Sequence, residues 1–447
     1  MSYLDNILFA ILLIFGFGYF VLSVKKIIRN INLGVALDRS DNPKARWANM
    51  AMIALGQSKM VKRPVAGILH IVVYAGFIII NIELLEIIID GLFGTHRIFA
   101  EYLGPVYNIL IGSFEILAVL VLIAISSFWI RRNIIRLKRF VNKDLDGFPK
   151  GDANYILYFE MVLMLLFLLM NASDLHLQNV PGGYSHFIKA GSFPISQFIS
   201  PVFNGMSNQL VMLLSEAFWW MHITGIFIFM NYLYFSKHLH ILLAFPNTYY
   251  ANLKPQGQFD NLDSVTNEVK LMMDPNADPF AAAPADVDAN AVPAKFGASD
   301  VQDLNWVQLL NAYTCTECGR CTAACPANQT GKKLSPRKIM MDTRDRLEEV
   351  GKNIDANKGV FVPDNKTLLN DYITPEELWA CTSCNACVEE CPVNINPLSI
   401  IMDMRRYLVM EQSAAPMSLN AMMTNIENNG APWQYNQQDR LNWKNEY

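Results

Sequence analysis

Residues 7–24, ILFAILLIFGFGYFVLSV, run for 18 residues without a charged side chain, and that stretch limits the possible folds more than any other feature. In helical form, roughly 17–25 apolar residues cross a hydrocarbon core of about 30 Å. The run is read as the first membrane-spanning helix. Four more stretches of the same kind follow: Val65–Ile89, Val106–Ile130, Tyr155–Met170 with a polar continuation to about His176, and Leu210–Phe235. The first half is therefore expected to be a bundle of five membrane-spanning helices. A large soluble helical core is the alternative reading, but buried soluble helices rarely combine this length with the charge asymmetry described next.

Lys and Arg number nine in 25–63 and seven in 131–152, against one (Arg97) in 90–105 and one (Lys189) in 171–209. By the positive-inside rule the basic loops lie in the cytoplasm. The expected location is the inner (cytoplasmic) membrane, multi-pass, with the N-terminus outside and everything after Lys237 cytoplasmic. Asp5 precedes the first run while Lys25, Lys26 and Arg29 follow it, the reverse of a cleavable signal peptide, so this segment is expected to be retained. Only 17% of residues are charged and the formal net charge is -4. That leaves no basic field for nucleic acid.

Beyond Phe245 the composition changes. Residues 274–300, rich in Ala, Asp and Pro with no apolar period, read as a flexible tether. The expected organisation is a five-span domain over 1–245, a linker over 246–300, and a cytoplasmic domain over 301–447 that can move relative to the membrane. In the last of these, Pro336 behind Ser335 and Pro375 behind Thr374 look like first-turn prolines after an N-cap, and Thr374 with Glu377 fits a capping box.

All eight cysteines fall between 315 and 391, in two copies of C-x2-C-x2-C-x3-C-P: Cys315, Cys318, Cys321, Cys325-Pro326 and Cys381, Cys384, Cys387, Cys391-Pro392. In this pattern three thiolates of one loop wrap a four-iron cluster while the fourth, expected to start a helix behind its proline, reaches the other cluster. One cluster is expected on Cys315, Cys318, Cys321 and Cys391, the other on Cys381, Cys384, Cys387 and Cys325. Zinc, the competing reading, usually takes paired C-x2-C motifs; disulfides are disfavoured in a reducing compartment.

The 55 residues between Cys325 and Cys381 suit a helical ferredoxin domain better than the compact β-α-β type. The motifs and the tail Asn425-Ile-Glu-Asn-Asn-Gly430-Ala-Pro432-Trp433 resemble the iron–sulfur module of heterodisulfide reductases and anaerobic glycerol-3-phosphate dehydrogenase, with Ala431 where that family usually has Asn. The expected fold class is thus all-α, a five-helix transmembrane bundle followed by a cytoplasmic helical ferredoxin domain. The resemblance implies a membrane iron–sulfur oxidoreductase of heterodisulfide-reductase type. That family's catalytic cysteine-rich module has no counterpart here, which implies a cytoplasmic cysteine-rich or flavoprotein redox partner.

Seven histidines stand at 70, 96, 176, 186, 222, 238 and 240. Axial imidazoles from neighbouring helices are how a bundle holds a b-type haem. On one continuous helix the 18-residue step from His222 to His240 is five turns, about 27 Å along one face, and His238 lies roughly 160° away. The pattern resembles the cytochrome b (gamma) subunit of respiratory nitrate reductase and the membrane subunit of methanogen heterodisulfide reductase. That resemblance implies a cytoplasmic haem b on His70 and His240, with His222 as one ligand of an outer haem. The family's second histidine on span two falls near Ile80 or Asn81, neither a ligand. Either the outer haem is lost, leaving one, or His222 pairs with His176, or less readily with His96 or His186.

Glu83, Glu86 and Asp90 form one stripe on the outer half of span two, far in angle from His70. Intramembrane acids are costly and tend to be functional. With His176 or His96 they are candidates for proton uptake at a quinone site, a water-filled or helix-pairing stripe being the plainer reading. The expected activity is electron transfer between the quinone pool, haem b, two 4Fe-4S clusters and the cytoplasmic partner. An electron-transferring-flavoprotein:quinone oxidoreductase component, or a redox sensor or anchor with structural clusters, are the alternatives.

Overall fold

The computed structural model describes residues 3–180, 187–275, 295–434 and 436–445. His186 and residues 276–294 of the expected tether lie outside them. Five helices are long and apolar enough to cross a membrane: α1 (Tyr3–Ile31), α2 (Pro64–Phe93), α3 (Pro105–Asn133), α4 (Phe148–Gln178) and α5 (Asn208–Tyr232). A proline sits in the first turn of α2, α3 and α4, where its missing N–H costs nothing and its fixed φ suits the helix. α2 stops at Gly94, whose φ of 71° is the left-handed cap that glycine adopts freely. Large apolar residues such as Ile14, Phe15, Ile68 and Ile109 are exposed on the bundle's outer faces, as a lipid-facing surface requires.

The fifth helix does not run on to His240. α5 ends at Tyr232; a short turn (Leu233–Phe235), the extended residue Ser236 (φ −108°, ψ 147°) and a second turn (Lys237–Leu239) follow, and α6 (His240–Tyr249) begins afresh. The angular separation expected of His238 and His240 therefore does not hold. The Ser236 hydroxyl accepts from the His238 N–H at 3.1 Å, a local bond that competes with helix continuation.

The C-terminal half is built from α7 (Trp306–Thr314), α8 (Arg320–Ala324), α9 (Pro336–Ala356), α10 (Ala386–Glu390) and α11 (Pro397–Arg406). Among the described residues there are helices, turns and two isolated bridges but no strand. Ser335 caps α9 ahead of Pro336, and Thr374 with Glu377 closes a capping box ahead of the helix Pro375–Trp379. Cys325 leads directly into the short helix Pro326–Gln329. Cys391 does not start one: after Pro392 the chain turns, and α11 starts at Pro397 behind Asn396, whose side chain accepts from the Ser399 N–H. Asparagine is among the preferred N-cap residues, and Asn396 supplies the cap at which α11 starts.

The two halves are packed together, contrary to the mobility expected from the tether. One hydrophobic core joins Ile27 and Ile31 of α1 and Leu233 and Leu239 after α5 to Leu310, Ile339, Leu347 and Ile401 of the C-terminal helices. Polar contacts span the same seam. Val35 N–H donates to Leu304 C=O at 2.8 Å, Trp306 N–H donates to Val35 C=O at 3.2 Å, and Asn30 Nδ2 donates to Tyr313 Oη at 2.8 Å. Arg29 pairs with Asp355, Lys237 with Glu317, and Arg337 with Asp144. The end of the expected linker belongs to the C-terminal half: Ala298 N–H donates to Asp403 C=O at 3.0 Å, and Asp300 pairs with the fully buried Arg346 at 2.8 Å. The composition of a tether describes the tether alone and carries no information about the surfaces it joins.

Candidate functional site

The two cysteine loops share one backbone form. Glu317 and Ser383, then Gly319 and Asn385, take positive φ (55°, 57°, 71° and 59°) at equivalent places, which curls each loop so that its thiols face inward. Glycine is required at only one of the second pair, since a Cβ on Gly319 would lie 2.6 Å from Arg337 Nη1. α8 and α10, one from each loop, pack against each other. This pairing brings the fourth cysteine of each motif to the other loop. A small cavity is walled by Cys315, Cys318, Cys321 and Cys391, with Cys387 also on its lining, while Cys325 lies within electrostatic range of Cys381 and Cys387.

All eight cysteines are free thiols. Among the described residues no three Cys, His or carboxylate side chains converge on a point that would hold a single metal ion. Burial pushes Cys315 and Cys387 up to about 12 and Cys391 up to about 11, so thiolates at these positions need a strongly cationic partner. Four soft sulfur donors around each position fit a four-iron cluster. Cys384 is exposed, which puts the second loop toward solvent. The first faces the bundle, where Glu317 is bonded to Lys237 and Arg344; despite its burial, these two cations hold its carboxyl below the ordinary range.

Next to Cys318 begins a cavity of about 500 Å³ running up among α2, α3, α4 and α5, walled by His70, His222, His238, His240 and Glu83 as well as Cys318 itself. His70 and His240 face each other with ring centroids 6.4 Å apart and planes inclined at 43°. His240 Nδ1 lies 3.1 Å from the Lys237 carbonyl oxygen, a contact that orients the ring and leaves Nε2 for another partner. His238 sits 5.3 Å from His240 between centroids, with Nε2 3.4 Å from Glu160 Oε1.

Eleven buried side-chain polar atoms among the described residues have no hydrogen-bond partner, and six of them (on His70, Tyr74, Glu83, Arg132, Arg139 and His222) belong to this cavity's wall. Buried polar groups are nearly always paired. Six orphans around one space mark it as a place for a polar ligand.

The structure divides the acidic stripe. Both Glu86 oxygens are used, accepting from Phe99 N–H at 2.9 Å and Tyr107 Oη at 2.8 Å, and Asp90 accepts from the N–H groups of Arg97 and Ile98 at 2.7 and 3.3 Å. These two hold the turn after α2. Glu83, 4% exposed, keeps one oxygen free. It lies on the same cavity as His70 although the angle count set the two apart, because the cavity spreads over a wide arc of α2 from Ala66 to Ile87.

His176 packs on Phe203 at 6.1 Å, and His96 lies 3.3 Å from Asp174. Neither is brought onto the cavity wall that carries His222. What the sequence reading missed is the buried Arg97, which donates to Tyr107 at 3.1 Å and Asn171 at 3.0 Å and is also bonded to Asp174. Its signal was its isolation, as the sole Lys or Arg between spans two and three.

Over residues 314–395 the chain matches the 4Fe-4S dicluster domain family. It is 30% identical over 474 residues to the probable iron-sulfur-binding oxidoreductase FadF of Bacillus subtilis, covering 99% of this chain and 61% of that protein. It is 24% identical over 435 residues to the EtfAB:quinone oxidoreductase of Syntrophomonas wolfei, covering 92% of this chain and 55% of that one. Against one component of the ferredoxin/F(420)H(2)-dependent CoB-CoM heterodisulfide reductase of Methanosarcina acetivorans the identity is 34% over 108 residues, 24% of this chain and 52% of that component. The chain thus spans 61% and 55% of the length of the first two relatives. No solved structure matches it. The chain carries a 4Fe-4S dicluster domain and is related to iron–sulfur oxidoreductases.

Proposed function

We propose that the chain is a multi-pass protein of the cytoplasmic membrane that passes electrons between the quinone pool, a haem b on His70 and His240, two 4Fe-4S clusters and a cytoplasmic redox partner. The observation that carries the reading is the single cavity that reaches from His222 and Glu83, past the facing pair His70 and His240, to Cys318. Two imidazoles each about 2 Å from a shared metal stand roughly 6 Å apart between centroids, which fits the 6.4 Å found for this pair. When bound, the haem and the clusters supply one-electron carriers that split a two-electron quinol couple into single steps. The chain's own residues do the rest.

His240 is fixed through Nδ1 by the Lys237 carbonyl. Glu83 and His222, 4% and 3% exposed with one orphan polar atom each, are the proton acceptors for quinol bound at the cavity's outer end. One bis-histidine haem is the count proposed, since among the described residues neither His176 nor His96 joins His222 on the wall, and the other wall histidines, His70, His238 and His240, stand close to one another. Cys315, Cys318, Cys321 and Cys391 hold the cluster beside the haem, and Cys381, Cys384, Cys387 and Cys325 hold the one toward solvent, where Cys384 is exposed. The division proposed is a membrane domain to residue 245, a linker that ends before Ala298, and a cluster domain beyond it. The charge count of the loops supports a cytoplasmic cluster domain.

The alignment over 92% of the chain with an EtfAB:quinone oxidoreductase favours an electron-transferring flavoprotein as the cytoplasmic partner. A cysteine-rich protein of heterodisulfide-reductase type is the second reading, supported by the shorter alignment through the cysteine motifs. The test is anaerobic purification into liposomes, addition of a quinol analogue, and optical and electron paramagnetic resonance recording. Reduction of a b-type haem followed by the clusters, with reoxidation by electron-transferring flavoprotein, is expected. Intact clusters in a protein without haem would overturn the proposal.

A further inference from the structure

The inner end of the large cavity, between the facing histidines and Cys318, carries Arg131, Arg132, Arg139 and Arg320 on its wall, with Lys237 beside them. Of these, Lys237 is paired with Glu317, and Arg320 donates to the Lys59 carbonyl and the Met60 sulfur at 3.4 and 2.8 Å. Arg132 and Arg139 have no such carboxylate. Neither forms an ion pair among the described residues, and the Nε of each is buried without a hydrogen-bond partner.

The carboxylates at that end are already committed. Glu317 is bonded to Lys237 and Arg344, and Asp152 accepts from Tyr232 Oη and Lys237 N–H at 2.7 and 3.2 Å. The two guanidinium groups, neither of them in an ion pair, are also held in place, stacking over the same ring, Phe140, at 5.3 and 4.8 Å from its centroid. Arg132 Nη2 donates to the Lys150 carbonyl at 3.3 Å, and the Arg139 carbonyl accepts from Arg337 Nη1 at 2.7 Å, which ties its backbone to the cluster-bearing half.

Each side chain is partly buried, a cation held out of water without a counter-ion is disfavoured, and a guanidinium fork matches a carboxylate or phosphate oxygen pair. The geometry assigns this arginine pair to a dianion that enters the cavity. We propose that Arg132 and Arg139 bind the two propionate carboxylates of the haem seated between His70 and His240, and so turn its carboxylate edge toward Cys318. This rests on the haem reading above and adds to it the anchor and the orientation. The arginines are positioning residues; they also place positive charge beside the haem iron, which favours its reduced state.

The test uses full-length protein in nanodiscs, carrying Arg132→Gln, Arg139→Gln, both together, and Arg139→Lys. Haem is quantified by pyridine haemochromogen, its potential is measured by optical titration, and bound phospholipid is counted as phosphate. Removing positive charge should disfavour reduction, at least tenfold in the double Gln variant, which is about 59 mV for one electron. Arg139→Lys should recover most of the shift. Loss of haem from the double variant with cluster signals intact also supports the anchor.

An unchanged potential with haem retained in the double variant overturns the propionate assignment while leaving the His70–His240 ligation standing. The same result accompanied by loss of a tightly bound phospholipid identifies a lipid headgroup as the dianion instead. A wild-type protein without haem overturns both readings at once.

Discussion

Replacing Asp144 by Ala tests whether the two halves are coupled in the way the contacts imply. Asp144 lies in the connection between α3 and α4, a few residues beyond Arg139. It accepts from Arg337 Nε at 3.1 Å, from Arg337 Nη2, and from Ser335 Oγ at 2.9 Å. Arg337 is fully buried at the head of α9. Its remaining side-chain bond reaches the Arg139 carbonyl.

Removing the carboxylate leaves a buried guanidinium without its counter-charge, a change that costs about 3–5 kcal/mol. At 1.4 kcal/mol per decade that is roughly two to three and a half powers of ten in the local opening equilibrium. Amide hydrogen exchange in a nanodisc is the assay. Segments 138–145 and the first turns of α9 should lose protection by that factor, while the interior of α4 should not change. The double variant Asp144→Ala with Arg337→Met should regain most of the protection, because it removes the unpaired charge along with its partner. Protection lost by less than about tenfold in the single variant, or a double variant worse than the single, would refute the account of this seam.

The anaerobic protein should contain about eight non-haem irons, and stoichiometric zinc with little iron would sink the cluster assignment. Cys391→Ser should abolish the paramagnetic signal of the cluster nearer the haem and Cys325→Ser that of the outer one; if each variant instead loses the cluster of its own motif, ligation is not crossed. His70→Ala and His240→Ala should each eliminate the b-type optical band, whereas His238→Ala should retain it, so loss of haem in the last would move the axial ligand to His238. Glu83→Gln should slow quinol oxidation roughly 10²-fold with haem content unchanged, and an unaltered rate would remove Glu83 from the proton path.

The spans were legible because lipid leaves the backbone so little choice: an uncharged run long enough to cross has to be a helix, and α1 to α5 stand where those runs lie. The cysteine loops were equally legible, since a cluster demands its ligands at short, fixed spacings, and loop curvature carried by Glu317 and Ser383 follows the motif. What depended on the tertiary structure was everything that crosses between elements.

Treating α5 as one helix to His240 failed because the chain leaves the helical path after Tyr232, passes through the extended Ser236 and starts a new helix at His240, which puts both His238 and His240 on the cavity wall. Sorting Glu83 from Glu86 and Asp90 depended on which donors arrive from the turn at Arg97 and from Tyr107, information that lies outside the stripe itself. The arginine pair over Phe140 was only part of a positive-inside count in the sequence. Its lack of counter-ions became visible once folding had given Glu317 and Asp152 to other partners. Periodicity and spacing are properties of one segment, whereas pairing of buried charge is settled by whichever segments meet.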